Sequence, residues 1–188
     1  MQGVSTRDKI IKLGRDFIQK IGYHSFRYQL IAKELNIKNA AVHHYFPAKE
    51  DLGVAVIEKD RSDFLDLIEA GKEQSPREKT ELLLTLYANY CLSGKNLCII
   101  GATTSIYSEL PPKMEKAANE YIATVESWLT DVLREGQQKG EFRFEETPEN
   151  IAALWISTLP GALQVAQAKG AGFFRAVLEQ LRRTLQSA

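Results

Sequence analysis

Cysteine is scarce: the 188 residues hold only Cys91 and Cys98. Two thiols make no disulfide framework. Histidine is scarce too, with three residues, all between His24 and His44. No nucleophile–base–acid set, glycine-rich phosphate loop or metal-spaced His/Cys/Asp cluster can be assembled from what remains. That speaks against an enzyme, a metal site and a cofactor. His43 and His44 are neighbours, and neighbours on a helix point about 100° apart, so they do not share one ion. No run approaches the ~20 apolar residues of a membrane span. Arg7, Asp8 and Lys9 precede any apolar run, unlike a signal peptide. Internal repeats and low-complexity tracts are absent too. The expectation is a cytoplasmic protein with no membrane partner.

Net charge is zero as well, but its distribution is uneven. Residues 1–48 carry 8 Lys and Arg against 3 Asp and Glu, and residues 49–188 carry 16 against 21. A basic head on an acidic body suits DNA at one end and water or a partner at the other. An apolar fraction of 44% is enough for a real core.

The informative stretch is Phe26 to Phe46. It reads as two short helices joined by a tight turn. Ile31, Ala32, Leu35, Ile37 and Val42 fall at spacings that place them on one inward side of the pair. Asn36 sits at the turn, and Asn tolerates the left-handed backbone needed there. The second helix, about Lys38 to Tyr45, presents Lys38, Asn39, His43, His44 and Tyr45. Ala40 and Ala41 keep its leading face low. Such a helix fits the DNA major groove, about 12 Å wide. Lys38 and Asn39 are assigned to base edges. Arg27, Tyr28, His43, His44 and Lys49 are assigned mainly to the phosphate backbone, and Tyr45 to either role or to packing.

With Gly22 and Tyr23, these residues also form a known pattern. The stretch resembles the tetracycline-repressor (TetR) family of bacterial transcription regulators. The residues that carry the likeness are Gly22, Tyr23, Phe26, Ile31, Ala32, Leu35, Ile37, Val42, His44, Tyr45, Phe46, Lys49 and Leu52. The likeness is tight over residues 5–57 and one of layout beyond. The chain departs from the pattern at Arg27 and Lys38, where Ser or Thr is common, at Asn36 (Gly), at Ala41 (Ser or Thr) and at His43 (Tyr). Hydroxyl contacts to phosphate are lost at Ala41, and Arg27 and Lys38 supply charge.

The rest of the chain reads as helices. Ser5 and Asp8 make a capping-box pattern for a first helix over Thr6–Ile21, ended by Gly22. A long helix runs from about Ala48 to Gly71. Ser75, Pro76 and Glu78 open another to Leu92. Leu97–Glu109 reads as one shorter helix. Pro111-Pro112 starts the longest, to about Lys139. Phe142 and Phe144 lie in an extended loop. Thr147 opens a helix to about Ala168, with a kink expected at Pro160. The last covers about Gly172–Leu185. The fold class is therefore all-α, about nine helices. A three-helix head with a helix-turn-helix (residues 1–47) is followed by a helical-bundle regulatory domain (48–188) for ligand sensing and dimerisation.

The last two helices are apolar on more than one side and need a further partner surface. The resemblance implies a homodimer through them, with Leu159, Phe174, Val177, Leu178, Leu181 and Leu185 at the interface. It also implies a palindromic operator in double-stranded DNA. Tyr87, Tyr90, Tyr107, Tyr121, Trp128 and Trp155 either line an effector pocket or are ordinary core. Cys98 starts a predicted helix, where the dipole lowers thiol pKa, with Lys95 nearby in sequence. The placement is similar to that of a reactive Cys in the family subgroup that represses electrophile-detoxifying reductases. The alternative is a small buried apolar residue. The functional expectation is a DNA-binding regulator, a repressor released by a small molecule or an electrophile. The other reading is a helical adaptor whose Lys38–Tyr45 helix meets an acidic protein.

Overall fold

The computed structural model describes residues 5–94 and 97–186, and Lys95 lies outside them. The architecture is all-α. The elements are α1 (Thr6–Ile21), α2 (Tyr28–Leu35), α3 (Asn39–Tyr45), α4 (Lys49–Ala70), α5 (Pro76–Leu92), α6 (Ile99–Thr104), a 3₁₀ turn (Tyr107–Glu109), α7 (Pro112–Gln138), α8 (Pro148–Lys169) and α9 (Ala171–Thr184).

Local side-chain chemistry sets several helix starts. Ser5 accepts a hydrogen bond from the Asp8 N–H, and Thr147 from the Asn150 N–H. Ser75 and Glu78 form a reciprocal capping box, with Pro76 in the first turn. Each satisfies amide groups that a helix leaves orphaned. The expected single helix over Leu97–Glu109 is instead broken after Thr104. Thr103 and Thr104 turn their hydroxyls back onto the carbonyls of Ile99 and Ile100, and Ser105 onto Ala102. Three consecutive side chains thus compete with the backbone ladder. Pro160 lies inside α8, which continues through it.

One buried apolar cluster runs from Ile10 in α1 to Leu185 after α9. Head and body therefore share a core. In the head, Gly14 lets α1 approach α4: a Cβ there would stand 3.2 Å from the Leu52 side chain. In the body, α7 packs on α4, α5, α6 and α8, and α9 packs on α8 and α5. The junction is also polar. The Lys113 N–H at the start of α7 donates to Glu50 Oε1 at 3.1 Å, and His24 lies 3.2 Å from Glu109.

Candidate DNA-binding face and regulatory core

The α2–α3 turn is built on Asn36, the only non-glycine residue with positive φ among those described (φ 52°, ψ 45°). The Ile37 N–H reaches back to the Ala32 carbonyl at 3.0 Å, closing the turn. Ile31, Val42, Phe26 and Phe46 are buried beneath the pair. Arg7 lies over the Phe46 ring, 5.3 Å from its centroid. That brings a cation to the end of α3 that sequence spacing gave no reason to place there.

This packing sorts the predicted DNA contacts into two groups. Lys38, His43, His44 and Tyr45 are exposed on α3 or its cap, and Arg27 is exposed at the cap of α2. His43 stacks edge-on against Tyr28, with centroids 4.7 Å apart, and His44 against Tyr45 at 5.6 Å. Asn39 is half-buried with its Oδ1 turned inward, and must rotate to offer its amide to a base.

Two assignments need correction. Tyr28 is buried, and its hydroxyl donates to the Ala48 carbonyl at 2.7 Å, bracing the entry to α4. Burial raises the phenol's pKa further from its ordinary value. Lys49 is half-buried and folds back onto the head. Its ammonium sits 4.7 and 4.5 Å from the ring centroids of Tyr23 and Phe26, and donates to the His24 carbonyl at 3.2 Å. Burial and, secondarily, Arg27 lower its pKa. Both residues brace the head: the Tyr28 hydroxyl is turned inward, and the half-buried Lys49 holds its ammonium against the head's surface.

Comparison with known proteins agrees with this geometry. The family model described as "Bacterial regulatory proteins, tetR family" matches residues 10–56. A TetR transcriptional regulator from Legionella pneumophila superposes with TM-score 0.89 at 27% identity, covering 98% of this chain and 100% of that one. A TetR-family regulator from Agrobacterium tumefaciens gives 0.88 at 27%, covering 94% and 96%. The chain is a TetR-family transcriptional regulator. A fatty acid metabolism regulator protein from Bacillus subtilis is 25% identical over 137 residues, 72% of this chain and 70% of that one. TetR-family regulators bind operator DNA, typically dimerise and are not enzymes.

The body of this TetR-family protein departs from expectation at three places. First, the six aromatics do not line one pocket. Tyr87, Tyr90 and Tyr121 converge with Phe64 and Cys98, but the gap between them is only ≈ 10 Å³, about one water. Trp128 is half-buried, edge-on to Phe64. Trp155 is fully buried and donates to Thr184 Oγ1 at 3.1 Å. Tyr107 is exposed and accepts from Asn119. The roomy cleft, ≈ 510 Å³, lies elsewhere, between α6, α7 and α8. Its walls include Ile100, Ile122, Ile156 and Pro160, with Glu126, Ser157 and Gln164 as polar groups. Periodicity missed it because Glu126 only flanks the apolar stripe of α7, while Ser157 and Gln164 lie away from that of α8.

Second, Cys98 is buried, and desolvation pushes its thiol up to about 11. The Gly101 N–H at 3.2 Å from Sγ and the Tyr87 hydroxyl act the other way, as a helix N-terminus should, but burial outweighs them. At pH 7.5 native Cys98 should therefore alkylate at least about 100-fold more slowly than an exposed cysteine, with the rate climbing as pH rises toward about 11. Mass-spectrometric timing of N-ethylmaleimide labelling checks this. Half-buried Cys91 should label first.

Third, five of the six expected interface residues, Leu159, Phe174, Leu178, Leu181 and Leu185, are buried inside the single chain. They join α8 and α9 to the protomer core and are unavailable to a second copy. Only Val177 is half-buried. The outward apolar residues of the pair are Leu154, Val165 and Phe173, 44%, 46% and 37% exposed. Sequence spacing had also found no membrane-length apolar stretch, yet α8 is long and apolar enough to cross a bilayer by length and composition. It is the one such helix among the described residues. Its inner side packs on α7 and α9, and its outer side carries the exposed apolar residues.

Proposed function

We propose that two copies of this chain join through the outer faces of α8 and α9, place their α3 helices in successive major grooves of a palindromic operator, and repress transcription until an effector binds the body. The domain division follows the same logic: residues 1–47 touch DNA, and residues 48–188 sense and dimerise. The observation that carries the reading is α3 itself. It is a seven-residue helix anchored by buried Val42 and the Phe46 cap, with Lys38, His43, His44 and Tyr45 all exposed. A dimer puts two such helices about 34 Å apart, one turn of duplex, or a multiple of that. In this reading Lys38 and Asn39 touch base edges, while Arg27, His43 and His44 touch phosphates.

The effector reading favours a non-covalent small molecule in the ≈ 510 Å³ cleft, a volume within the range of small-molecule sites. The buried Cys98 thiol makes direct electrophile sensing the weaker alternative, one that requires the core around Tyr87 to open first. The protein acts in the cytoplasm, where its operator lies.

Fluorescence anisotropy against the chain's own upstream DNA, at several salt concentrations, tests the reading. Lys38→Ala should weaken operator binding by roughly 5- to 150-fold, or ~1–3 kcal/mol, and relax sequence preference. An adaptor for an acidic protein would instead show weak duplex binding in the parent and no loss in the variant.

A further inference from the structure

The polar side of α1 has no part in the DNA face described above. Arg15 and Gln19 lie one helical turn apart on it, and both reach into the body. Arg15 forms an ion pair through Nη2 with Asp60 Oδ1 on α4, and Nη2 also donates to the Tyr90 hydroxyl on α5 at 3.1 Å. Its other terminal nitrogen is 3.8 Å from Asp63 Oδ2. The Asp60 carboxylate is 2% exposed, and the Tyr121 hydroxyl of α7 approaches its second oxygen at 3.4 Å. One turn on, Gln19 Nε2 donates to the Leu97 carbonyl, just before α6, at 2.9 Å. A single helix of the head is thus fastened by directional bonds to α4, α5 and the entry of α6.

Apolar contacts between α1 and α4 hold the head against the body but constrain its angle weakly, because burial is non-directional. A planar guanidinium between a buried carboxylate and a phenol has a narrow geometric optimum, and a buried ion pair often adds little net stability over a well-packed apolar pair. We propose that Arg15 and Asp60 are positioning residues that fix the angle of the head on the body, and so select the half-site spacing that the dimer accepts. This rests on the dimeric, palindrome-binding reading above. Rotating the head on its own body shifts α3 oppositely in the two copies, so the separation of the two reading helices follows the angle. One base pair of added spacer moves a half-site by roughly 3.4 Å and turns it around the duplex axis.

The test uses the full-length chain and a series of palindromes whose spacer is shortened or lengthened by one and two base pairs. The parent should lose about tenfold in affinity per base pair away from its best spacer. The double variant R15M/D60L removes both charges together, a change that often leaves stability unaltered, which urea unfolding would verify. Its loss per base pair should shrink to about threefold or less, with a lowered best affinity. Tyr90→Phe removes one hydroxyl from the Arg15 site and should give an intermediate profile, a reading that survives even if the double variant does not fold. Unchanged spacing discrimination in variants of normal stability would overturn the assignment of Arg15 and Asp60 while leaving the regulator reading intact. A parent that binds single half-sites as tightly as palindromes would overturn both.

Discussion

Replacing Trp155 by alanine is expected to lower stability by about 3–5 kcal/mol. Trp155 is fully buried on α8, and its indole N–H is held by Thr184 on α9. Truncation removes the largest side chain in the core of the body and leaves a cavity that helices α7, α8 and α9 cannot close without moving. Thr184 still has the Leu181 carbonyl, to which its hydroxyl donates at 2.6 Å, so the loss is mainly one of packing. Against a typical total of 5–15 kcal/mol the effect is large, and the melting temperature should fall by roughly 10 °C. Urea unfolding at fixed protein concentration measures it, because any dimer links unfolding to dissociation. Trp155→Phe should cost clearly less. A change below about 1 kcal/mol for the alanine variant would mean that the tryptophan does not occupy the core.

The double change Leu154→Glu, Phe173→Glu should produce monomers by light scattering and cut operator affinity by about 100-fold. Linked heads act at high effective concentration, and a monomer forfeits that gain. Leu154 and Phe173 flank a groove of ≈ 370 Å³ between α8 and α9, together with Thr158, Ala176, Val177 and Gln180. They are exposed in the protomer, so two carboxylates there leave the fold intact and put charge into the face that a second copy must cover. Glutamates at Leu178 and Leu181, by contrast, would enter the protomer's own core and unfold it. Dimers that persist in the Leu154/Phe173 variant would move the interface to another face.

Much of this molecule is legible in local sequence. Ser5, Ser75 and Thr147 mark helix starts because a hydroxyl three residues before an amide completes a bond with no help from the rest of the fold. Asn36 marks the turn for the same reason: its left-handed backbone is a local preference. The apolar spacing of Ile31 and Val42 foretold the buried side of the helix pair, and exposure of Lys38, His43 and His44 followed from it.

Apart from the break after Thr104, which is local, the errors fall where distant residues meet. Tyr28 and Lys49 occupy positions that look outward in a helical pattern. The entry to α4 and the Tyr23–Phe26 rings draw them in. Cys98 sits at a helix N-terminus, as its position suggested, yet Tyr87 and its neighbours cover it and reverse the sign of its pKa shift. On α8 and α9, apolar periodicity could not tell the stripe facing the protomer from the stripe facing outward, since both repeat at three and four residues.

The sequence by itself determined most of the helices, the reading-helix motif and the charge asymmetry, because caps, turns and periodicity act over a few residues. Only the tertiary structure decided which tyrosines are struts, how reactive a thiol is and which face of α8 stays open. It also brought Arg15 to Asp60, from 45 residues along the chain. Burial and ion pairing are properties of surfaces that meet, and no single stretch of chain carries both sides.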